Sequence, residues 1–335
     1  MRMAKYTSLE LCAGAGGQAR GLERAGFEHS ALVEIDAHAA ATLRLNRPGW
    51  RVLEEDLFTW TPTEDLRNVD LVAGGVPCPP FSHAGLQLGE ADERNLFDRA
   101  LEIVNDVQPR AVMIENVRGL LDPKFENYRN RLVQRLAKAG YRAEWKLLQA
   151  ADYGVPQLRP RSILLGLRPT DARVFSWPAT QDRVLTVGSK LADLMAENGW
   201  EGAEEWVRGA QHIGPTLVGG SKKHGGPDLG PTRARRAWEA LGVDGRGVAD
   251  EAPLPGFVGM PRLTVRMAAR IQGFEDEWRF SGRKTASYRQ VGNAFPPPVA
   301  EAVGRSIITA FEKSDRTPRD LEDSSMSGAV ASIPV

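Results

Sequence analysis

A cysteine between prolines is the residue of this sequence that most clearly suggests chemistry. Cys78 lies in the run GGVPCPPFS, directly after an apolar stretch that ends at Gly74. A thiolate is a reactive nucleophile near neutral pH when positive charge lies close to it. Most lone cysteines are small buried hydrophobes, but no core strand needs proline on both sides of such a residue. We therefore expect a nucleophile at Cys78.

A carboxyl group and two guanidinium groups follow later in the chain, each beside an apolar stretch. Glu115 ends one stretch, and Arg159 and Arg161 precede another. An acid can engage a ring nitrogen, an arginine can bind a carbonyl oxygen, and positive charge lowers the pKa of a thiol. Taken singly, the acid is typical of a solvated strand end and the arginines of a surface pair. Together with Cys78 they suit the handling of a heterocycle.

A glycine-rich turn near the N-terminus predicts a site for a small ligand. In LCAGAGG, glycines between a strand and a helix let the backbone approach a ligand. Glu34, 20 residues after Gly14, could accept hydrogen bonds from ribose hydroxyls, and Asp56 could bind an adenine amino group. The glycine spacing and the absent P-loop lysine argue against a dinucleotide or a nucleoside triphosphate. S-adenosylmethionine fits better, although a plain tight turn with solvated acids stays an open alternative.

Alternating strands and helices would position these groups. We predict strands at 6–12, 30–35, 69–74, 111–115 and 162–167, and helices at 19–25, 37–45, 95–107 and 128–139. This order implies right-handed crossovers and a doubly wound, mostly parallel α/β sheet with helices on both faces. Sheets of this kind bind ligands at their carboxyl edge, where the candidate residues would meet.

The pattern changes after residue 172. Residues 173–260 are rich in Gly, Pro and Trp and have no clear period. Regular structure is expected again at 264–271 and at 297–311, and the latter segment has helical spacing. We predict a catalytic and cofactor-binding domain at 1–172 that resumes at 261–313. A smaller, loop-rich domain would occupy 173–260, and a disordered tail 314–335.

Composition excludes several classes of protein. The chain has 335 residues, 43 basic and 43 acidic, and is 42% hydrophobic, which is typical of a soluble globular protein. Cys12 and Cys78 form no CxxC pair, so we expect neither a disulfide scaffold nor a metal site. No apolar run approaches the ~20 residues of a membrane span, and no signal-peptide core is present. We predict a cytoplasmic protein without membrane contact. A zero net charge still permits a local basic face that binds nucleic acid.

Taken in order, the motifs resemble those of the bacterial DNA (cytosine-5) methyltransferases of the restriction–modification type. The likeness runs from about Ser8 to Gly304, and PCPPFS and QVGNAFPPPVA are its most specific parts. The matching blocks are LELCAGAGG, VEID, EEDLF, GGVPCPPFS, RNLF, ENV, QLRPR, RLTVRMAARIQGF and YRQVGNAFPPPVA. The resemblance implies a Rossmann-like methyltransferase fold with a smaller target-recognition domain.

The resemblance also implies roles for the candidate catalytic residues. Cys78 would add to C6 of the target cytosine, after which C5 takes the methyl group and loses its proton as the thiolate leaves. Glu115 would engage N3 and the exocyclic amine, Arg161 would bind O2, and Arg159 would support the same site. Because a stacked base cannot be reached, the cytosine would be flipped out at a cost of a few kcal/mol. Residues 79–94 would form the mobile loop that closes over it.

The implied cofactor is S-adenosylmethionine. Its predicted contacts are Cys12, Gly14, Gly16, Gly17, Glu34, Ile35, Asp56, Leu57, Leu96 and Asn293. Four positions depart from the commonest family pattern: Glu10 replaces Asp, Cys12 replaces Phe, Pro79 replaces Gln, and Met267 replaces Glu. Of these, Cys12 removes an aromatic ring that normally lines the adenosine pocket.

The implied substrate is double-stranded DNA. The loop-rich region matches the variable target-recognition domain, and segments 205–240 and 257–291 carry net charges of +3 and +4. Lys and Arg can supply phosphate contacts and guanine readout, although many would be solvated or paired. The predicted DNA contacts are Ser82, Gln157, Thr216, Lys222, Lys223, Arg233, Arg235 and Arg262. We expect a monomer, and a cognate restriction endonuclease would act on the same site without binding this chain.

The sequence disfavours three other classes of protein. A tRNA-modifying methyltransferase would usually carry Cys-Phe-Thr in its recognition region, but this chain has no cysteine beyond Cys78. The other class of RNA cytosine-5 methyltransferases needs two catalytic cysteines, but Cys12 lies in the cofactor turn. A non-catalytic DNA-binding regulator is disfavoured by the intact Cys78, Glu115 and Arg161. Methyltransferases acting on N4 or N6 use Asp/Asn-Pro-Pro-aromatic, where this chain has Pro-Cys-Pro-Pro-Phe.

Overall fold

The computed structural model describes residues 6–77, 96–182, 184–219 and 227–316. Its strands are β1 (Tyr6–Leu11), β2 (Phe27–Val33), β3 (Val52–Leu53), β4 (Leu71–Gly74), β5 (Ala111–Val117), β6 (Arg142–Gln149), β7 (Gln157–Leu158), β8 (Pro160–Leu167) and β9 (Gly214–Pro215). Its helices are α1 (Gly17–Ala25), α2 (Ala37–Asn46), α3 (Leu96–Val107), α4 (Glu126–Lys138), α5 (Pro169–Ala172), α6 (Val187–Ala196), α7 (Ala203–Gly209), α8 (Thr232–Glu239), α9 (Val265–Gln272), α10 (Lys284–Asn293) and α11 (Pro297–Arg316). None of the helices in the described ranges is long and apolar enough to cross a bilayer.

The main sheet has seven strands in the order β3-β2-β1-β4-β5-β8-β6. Neighbours from β3 to β5 pair in parallel, whereas β8 runs antiparallel to both β5 and β6. The prediction of a mostly parallel α/β sheet is therefore confirmed, whereas β3 and β6 were not predicted. The strand order reverses between β1 and β4, and a doubly wound sheet binds its ligands at such a point.

Helices cover both faces of this sheet. On one face α11 packs against α1, and the buried core includes Leu22, Phe27 and Val303. The approach is close, because a Cβ at Gly21 would lie 2.4 Å from the carbonyl oxygen of Pro297. On the other face α3 and α4 pack against the strands. These two apolar layers confirm the doubly wound arrangement.

The region predicted as loop-rich contains three helices that periodicity did not reveal. α6, α7 and α8 are each ten residues or shorter and are separated by turns. Their buried residues, including Leu191 and Trp238, share one core with Met267 and Ile271 of α9. The strand pair β7–β9 also joins Gln157 to Gly214. One core therefore contains residues from both sides of position 260/261, and the domain boundary there stays a prediction.

The chain end also differs from the prediction. α11 continues to Arg316, and Ser314 lies within it, where Arg110 Nη2 donates to Ser314 Oγ at 2.7 Å. Residues 314–316 are therefore helical rather than part of a disordered tail. The remainder of that predicted tail lies outside the described residues.

Met267, which stands where the family pattern often has Glu, takes part in the cap of α9. Thr264 caps α9, since its Oγ1 accepts from the Met267 backbone N–H at 3.1 Å. In a capping box the third helical residue, often Glu, accepts in return from the capping residue's N–H. Here the Met267 sulfur takes that place, 3.5 Å from the Thr264 nitrogen, while the side chain is buried in the core. Methionine thus replaces a carboxylate with a weaker acceptor that can be buried.

Candidate functional site

A cavity of about 720 Å³ opens at the carboxyl edge of the sheet, beside the reversal point. Its wall is formed by the glycine turn before α1, the ends of β2, β4 and β5, and the last turns of α10. The predicted cofactor residues that line it are Cys12, Gly14, Gly17, Glu34, Ile35, Asp56, Leu57, Leu96 and Asn293. The structure therefore brings together nearly all of the residues predicted for one ligand.

Gly16 is the exception among those predicted residues. It caps α1 with φ of 86°, and a Cβ there would lie 2.7 Å from Leu43 Cδ2 and 2.8 Å from Trp278 Cζ2. The Trp278 indole also donates to the Ala15 carbonyl at 3.0 Å. Leu43 and Trp278 therefore fill the space beside the Gly16 Cα, and its contact with the cofactor stays a prediction.

Glu34 ties the end of β2 to the glycine turn. Its Oε2 accepts from the Gly14 N–H at 2.6 Å and its Oε1 from the Asp36 N–H at 2.7 Å. Burial raises the pKa of this carboxyl, and the two backbone donors oppose that rise. The carboxylate thus links the glycine turn to the start of α2. It lies at the position that was predicted to bind a ribose.

The end of the cavity near Ile35 and Phe58 carries exposed apolar surface. Ile35 is 65% exposed and Phe58 is 38% exposed, and both line the cavity. Asp56 is also exposed there, and its Oδ1 accepts from the Phe58 N–H at 3.0 Å. Large apolar side chains left open beside an acid suit a flat heterocycle that bears an amino group.

Cys12 does not have the properties of a nucleophile. It adopts φ of 52° at the end of β1 and is half-buried. Burial, aided by the charges of Glu34 and Asp56, raises the pKa of its thiol to about 12. The thiol therefore stays neutral at ordinary pH, in agreement with the prediction that Cys12 belongs to the cofactor turn.

Glu115 and Arg161 form a buried ion pair at the same cavity. Arg161 Nε lies 2.6 Å from Glu115 Oε1, and Glu115 also lines the cavity wall. Because β8 is antiparallel to β5, the start of β8 meets the end of β5, and Val117 pairs with Arg161. Burial raises the pKa of Glu115, whereas the charges of Arg161 and Arg159 oppose the rise. A carboxyl whose pKa is raised in this way is better suited than a solvated one to hold a proton and pass it to a ring nitrogen.

The segment that leads to Cys78 is fixed beside this pair. Asn116 Nδ2 donates to the Val76 carbonyl at 2.9 Å, and Pro77 lines the cavity. A Cβ at Gly75 would lie 3.4 Å from Glu115 Oε2. The residue before Cys78 therefore lies at the cavity wall near Glu115. Cys78 itself and the predicted loop 79–94 lie outside the described residues.

Arg159 occupies a different place from the one predicted. It is fully buried, and its guanidinium donates to the carbonyls of Leu217 at 2.7 Å, Gly292 at 2.8 Å and Ala294 at 2.9 Å. It does not line the cavity. Burial and the charge of Arg161 lower the pKa of Arg159. These three bonds join separate chain segments, so the contacts of Arg159 are those of a positioning residue, and its support of the catalytic site stays a prediction.

Gln157 is likewise corrected from a DNA contact. It is completely buried, donates to Gln272 Oε1 at 2.7 Å and accepts from the Leu217 N–H at 2.8 Å. With both ends of its amide engaged inside the protein, it presents nothing to DNA. Thr216 is half-buried next to it and donates its hydroxyl to the Leu158 carbonyl.

The other predicted DNA contacts fall into three groups. Arg233 on α8 is exposed, and Arg235 on the same helix lies 3.3 Å from the Thr232 hydroxyl. Arg262 Nε lies 3.0 Å from Asp244 Oδ2, so it is engaged within the chain. Ser82, Lys222 and Lys223 lie outside the described residues. Among these side chains, Arg233 is the most available to a phosphate.

Some residues of the site were missed from the sequence. Asn116 follows Glu115 directly and could have been suspected from the ENV block. Arg289 lines the cavity four residues before Asn293. The helix α10 was not predicted from the sequence. The four-residue spacing of Arg289 and Asn293 therefore could not be interpreted as placing both side chains on one helix face.

Fold and site together define an α/β enzyme with a nucleoside-sized cavity beside a buried acid–arginine pair. Solved structures share the fold. The Entamoeba histolytica methyltransferase EhMeth matches with a TM-score of 0.65 and 15% identity, covering 91% of this chain and 98% of that one. S. pombe Dnmt2 methyltransferase matches with a TM-score of 0.59 and 19% identity, covering 92% and 98%.

Sequence comparison identifies the family. The model for the C-5 cytosine-specific DNA methylases matches residues 6–309. Type II methyltransferase M.NaeI from Lentzea aerocolonigenes is 58% identical over 92% of this chain and 76% of its own length. Type II methyltransferase M.NgoMIV from Neisseria gonorrhoeae is 55% identical over 93% and 100%. The chain belongs to the C-5 cytosine-specific DNA methylase family, and it is a DNA (cytosine-5) methyltransferase of the restriction–modification type.

Proposed function

We propose that this enzyme methylates C5 of a flipped-out cytosine in a specific short duplex sequence through a covalent bond between Cys78 and C6. The methylation would protect DNA from a cognate endonuclease. The observation that carries the proposal is the buried Glu115–Arg161 pair in the same cavity as the glycine turn, beside the residue before Cys78. Under this proposal one cavity would hold both the groups that bind a pyrimidine and those that bind a nucleoside cofactor.

The cavity fits S-adenosylmethionine, which supplies an electrophilic methyl group when bound. Its charged lining residues are mainly acids, namely Glu34, Asp36, Glu55, Asp56 and Glu115. Acids suit a sulfonium, an ammonium and ribose hydroxyls, and they repel phosphates. The cavity thus favours a cationic nucleoside over a nucleotide.

Side chains of the protein carry out the other steps of the proposed reaction. The Cys78 thiolate forms a bond to C6 while Glu115, whose pKa burial raises, gives a proton to N3. Electron density then reaches C5, which accepts the methyl group. Loss of the C5 proton to a base lets the C6–S bond break and returns the N3 proton to Glu115. Arg161 holds Glu115 in place at 2.6 Å and presents its remaining donors to O2.

An RNA substrate is the second candidate, because likeness of fold does not distinguish the nucleic acids. The two Type II relatives, each more than half identical, favour DNA.

The test is bisulfite sequencing of DNA from a host that lacks cytosine methylation and expresses the chain. Protection of cytosines in one short motif is expected, and Cys78→Ala should abolish it while DNA binding stays measurable. A duplex with 5-fluorocytosine in that motif should trap a denaturation-resistant adduct, because fluorine blocks the final elimination. Near wild-type transfer by Cys78→Ala, or no adduct on a methylatable site, would refute the covalent step.

A further inference from the structure

We infer that Arg289 binds the α-carboxylate of the methionine part of S-adenosylmethionine. This inference rests on the proposed cofactor and assigns a residue that neither the motif spacing nor the family blocks singled out. It also makes Arg289 the group that selects an intact amino acid moiety over a cofactor without one.

The first argument is the charge of the cavity wall. Among its described lining residues, Arg289 is the single cation, and five carboxyl groups surround the same space. The sulfonium and the ammonium of the cofactor are attracted by those acids, whereas its carboxylate is repelled by them. A guanidinium in the wall offsets that repulsion and can donate two parallel hydrogen bonds to a carboxylate.

The second argument is the availability of this side chain. Arg289 is half-buried, and in the described part of the chain no hydrogen bond or ion pair engages its guanidinium. Other arginines near the cavity are engaged, since Arg161 pairs with Glu115 and Arg159 donates to three carbonyls. A guanidinium that lines an acidic cavity and has no acid of its own is suited to an anionic ligand group.

The third argument is position. Arg289 and Asn293 are four residues apart on α10 and lie on one helix face, and both line the cavity. The chain after Asn293 touches the start of α1, because a Cβ at Gly17 would lie 2.2 Å from the Phe295 carbonyl oxygen. The first turn of α1 has a positive end and no acidic residue of its own. A carboxylate at this junction meets positive potential from the start of α1 and from the guanidinium of Arg289.

The glycine at the rim of this face supports the same arrangement. A Cβ at Gly219 would lie 2.4 Å from the Arg289 carbonyl oxygen and 2.4 Å from Asn293 Oδ1. The chain at Gly219 therefore packs directly against the backbone of this turn of α10. Its contact fixes the turn from which both cavity-lining side chains project.

The experiment pairs a variant with a matched ligand. Calorimetry without DNA would compare S-adenosylmethionine with its decarboxylated form in the wild type and in Arg289→Met. We expect Arg289→Met to bind S-adenosylmethionine about 10- to 100-fold more weakly, which is the range of a charge-assisted hydrogen bond. Binding of the decarboxylated form should be nearly the same in both proteins. Arg289→Lys should recover part of the loss, and Arg283→Met, an exposed arginine at the start of the same helix, should change neither ligand.

Each other outcome has a distinct meaning. If the wild type prefers S-adenosylmethionine to the decarboxylated form and Arg289→Met keeps that preference, the inference is wrong and the proposed cofactor stands. If Arg289→Met binds both ligands normally but loses affinity for DNA, the guanidinium serves a phosphate and the inference is also wrong. If the wild type binds neither ligand, the proposed cofactor itself fails.

Discussion

The buried acid–arginine pair shows how single residues acquire chemistry from their surroundings. Glu115 would be an ordinary strand-end acid if solvent reached it, but burial raises its pKa while Arg161 opposes complete neutralisation. In the proposed mechanism this balance would let one carboxyl donate a proton to N3 and later recover it.

Glu115→Gln should therefore lower kcat for methyl transfer by about 10²- to 10⁴-fold, because an amide cannot supply that proton. Binding of S-adenosylmethionine and of DNA should change little. Transfer of a labelled methyl group to a target duplex measures the effect. Glu102→Gln, an exposed acid on α3 that pairs with Arg99 at 2.9 Å, is the control. A kcat within a few-fold of the wild type would remove Glu115 from the chemistry.

A second buried acid affects stability rather than chemistry. Glu10 on β1 is completely buried, and burial raises the pKa of its carboxyl to about 7 despite a hydrogen bond from Gln18 at 2.8 Å. Its neighbour His29 is also buried, and burial lowers the pKa of that imidazole to about 4. The charged form of each group is therefore disfavoured inside the protein.

Glu10→Gln should be more stable than the wild type at pH 8 and equally stable near pH 4.5. A raised carboxyl pKa contributes stability below the unfolded value of 4.5, which is lost as the pH rises through 7. The shift corresponds to about 3 kcal/mol in the free energy of unfolding. His29 Nδ1 lies 3.8 Å from Glu10 Oε1, but burial lowers the pKa of that imidazole to about 4, so in the folded protein it stays mostly neutral over the pH range compared.

Urea unfolding at several pH values tests this prediction. The control is Glu28→Gln, an exposed acid on β2, which should show no pH-dependent difference. A constant gap between Glu10→Gln and the wild type from pH 4.5 to 8 would show that Glu10 does not titrate in this range.

At the scale of elements, buried side chains join the main sheet to residues 173–260, which are predicted to recognise the target (the recognition region). Arg159 bonds to the recognition segment at Leu217 and to both sides of the end of α10, and Gln157 bonds to Leu217 and Gln272. The block QLRPR thus supplies a structural junction in its first half and the partner of Glu115 in its second. Only the tertiary contacts separate these two roles.

Arg159→Lys should lower the free energy of unfolding by about 3 kcal/mol, because one ammonium cannot serve three separated carbonyls and each unpaired buried group costs ~1–3 kcal/mol. Denaturant unfolding measures this loss. DNA affinity should fall with it, whereas affinity for S-adenosylmethionine should fall less.

Arg168→Lys is the matched control for that measurement. Arg168 also donates to a backbone carbonyl, that of Ala139 at 2.9 Å, but from a partly exposed position. Its replacement should cost well under half as much. Equal losses in the two variants would mean that the carbonyl junction has no special importance.

At the scale of the whole molecule, charge is uneven although the total is zero. Basic side chains on α8 lie in the recognition region, while acids surround the cofactor cavity. This separation would attract the DNA backbone to one part of the surface and a cationic cofactor to another.

Arg233→Ala should reduce the slope of log affinity against log salt by about 1, as expected for one lost phosphate contact. Fluorescence anisotropy with a labelled duplex at several salt concentrations measures that slope. Arg67→Ala is the control, since Arg67 pairs with Glu64 at 3.0 Å and precedes the amino end of β4, at the opposite edge of the sheet. An unchanged slope for Arg233→Ala would place the phosphate contacts elsewhere.

The sequence by itself determined the alternation of strands and helices and the glycine turn with Glu34. It also determined the family, through the motifs that contain Cys78, Glu115 and Arg161. These features are local, because they depend on periodicity, on turn residues and on short motifs beside strand ends. The antiparallel course of β8, the burial of Arg159 and Gln157, and the cavity position of Arg289 were decided by tertiary structure. In each case a side chain gained its role from a segment distant in the chain, as when β8 meets β5 or Leu217 meets Arg159. Residue type and spacing carry no record of such contacts, since packing and desolvation arise only once the elements are assembled.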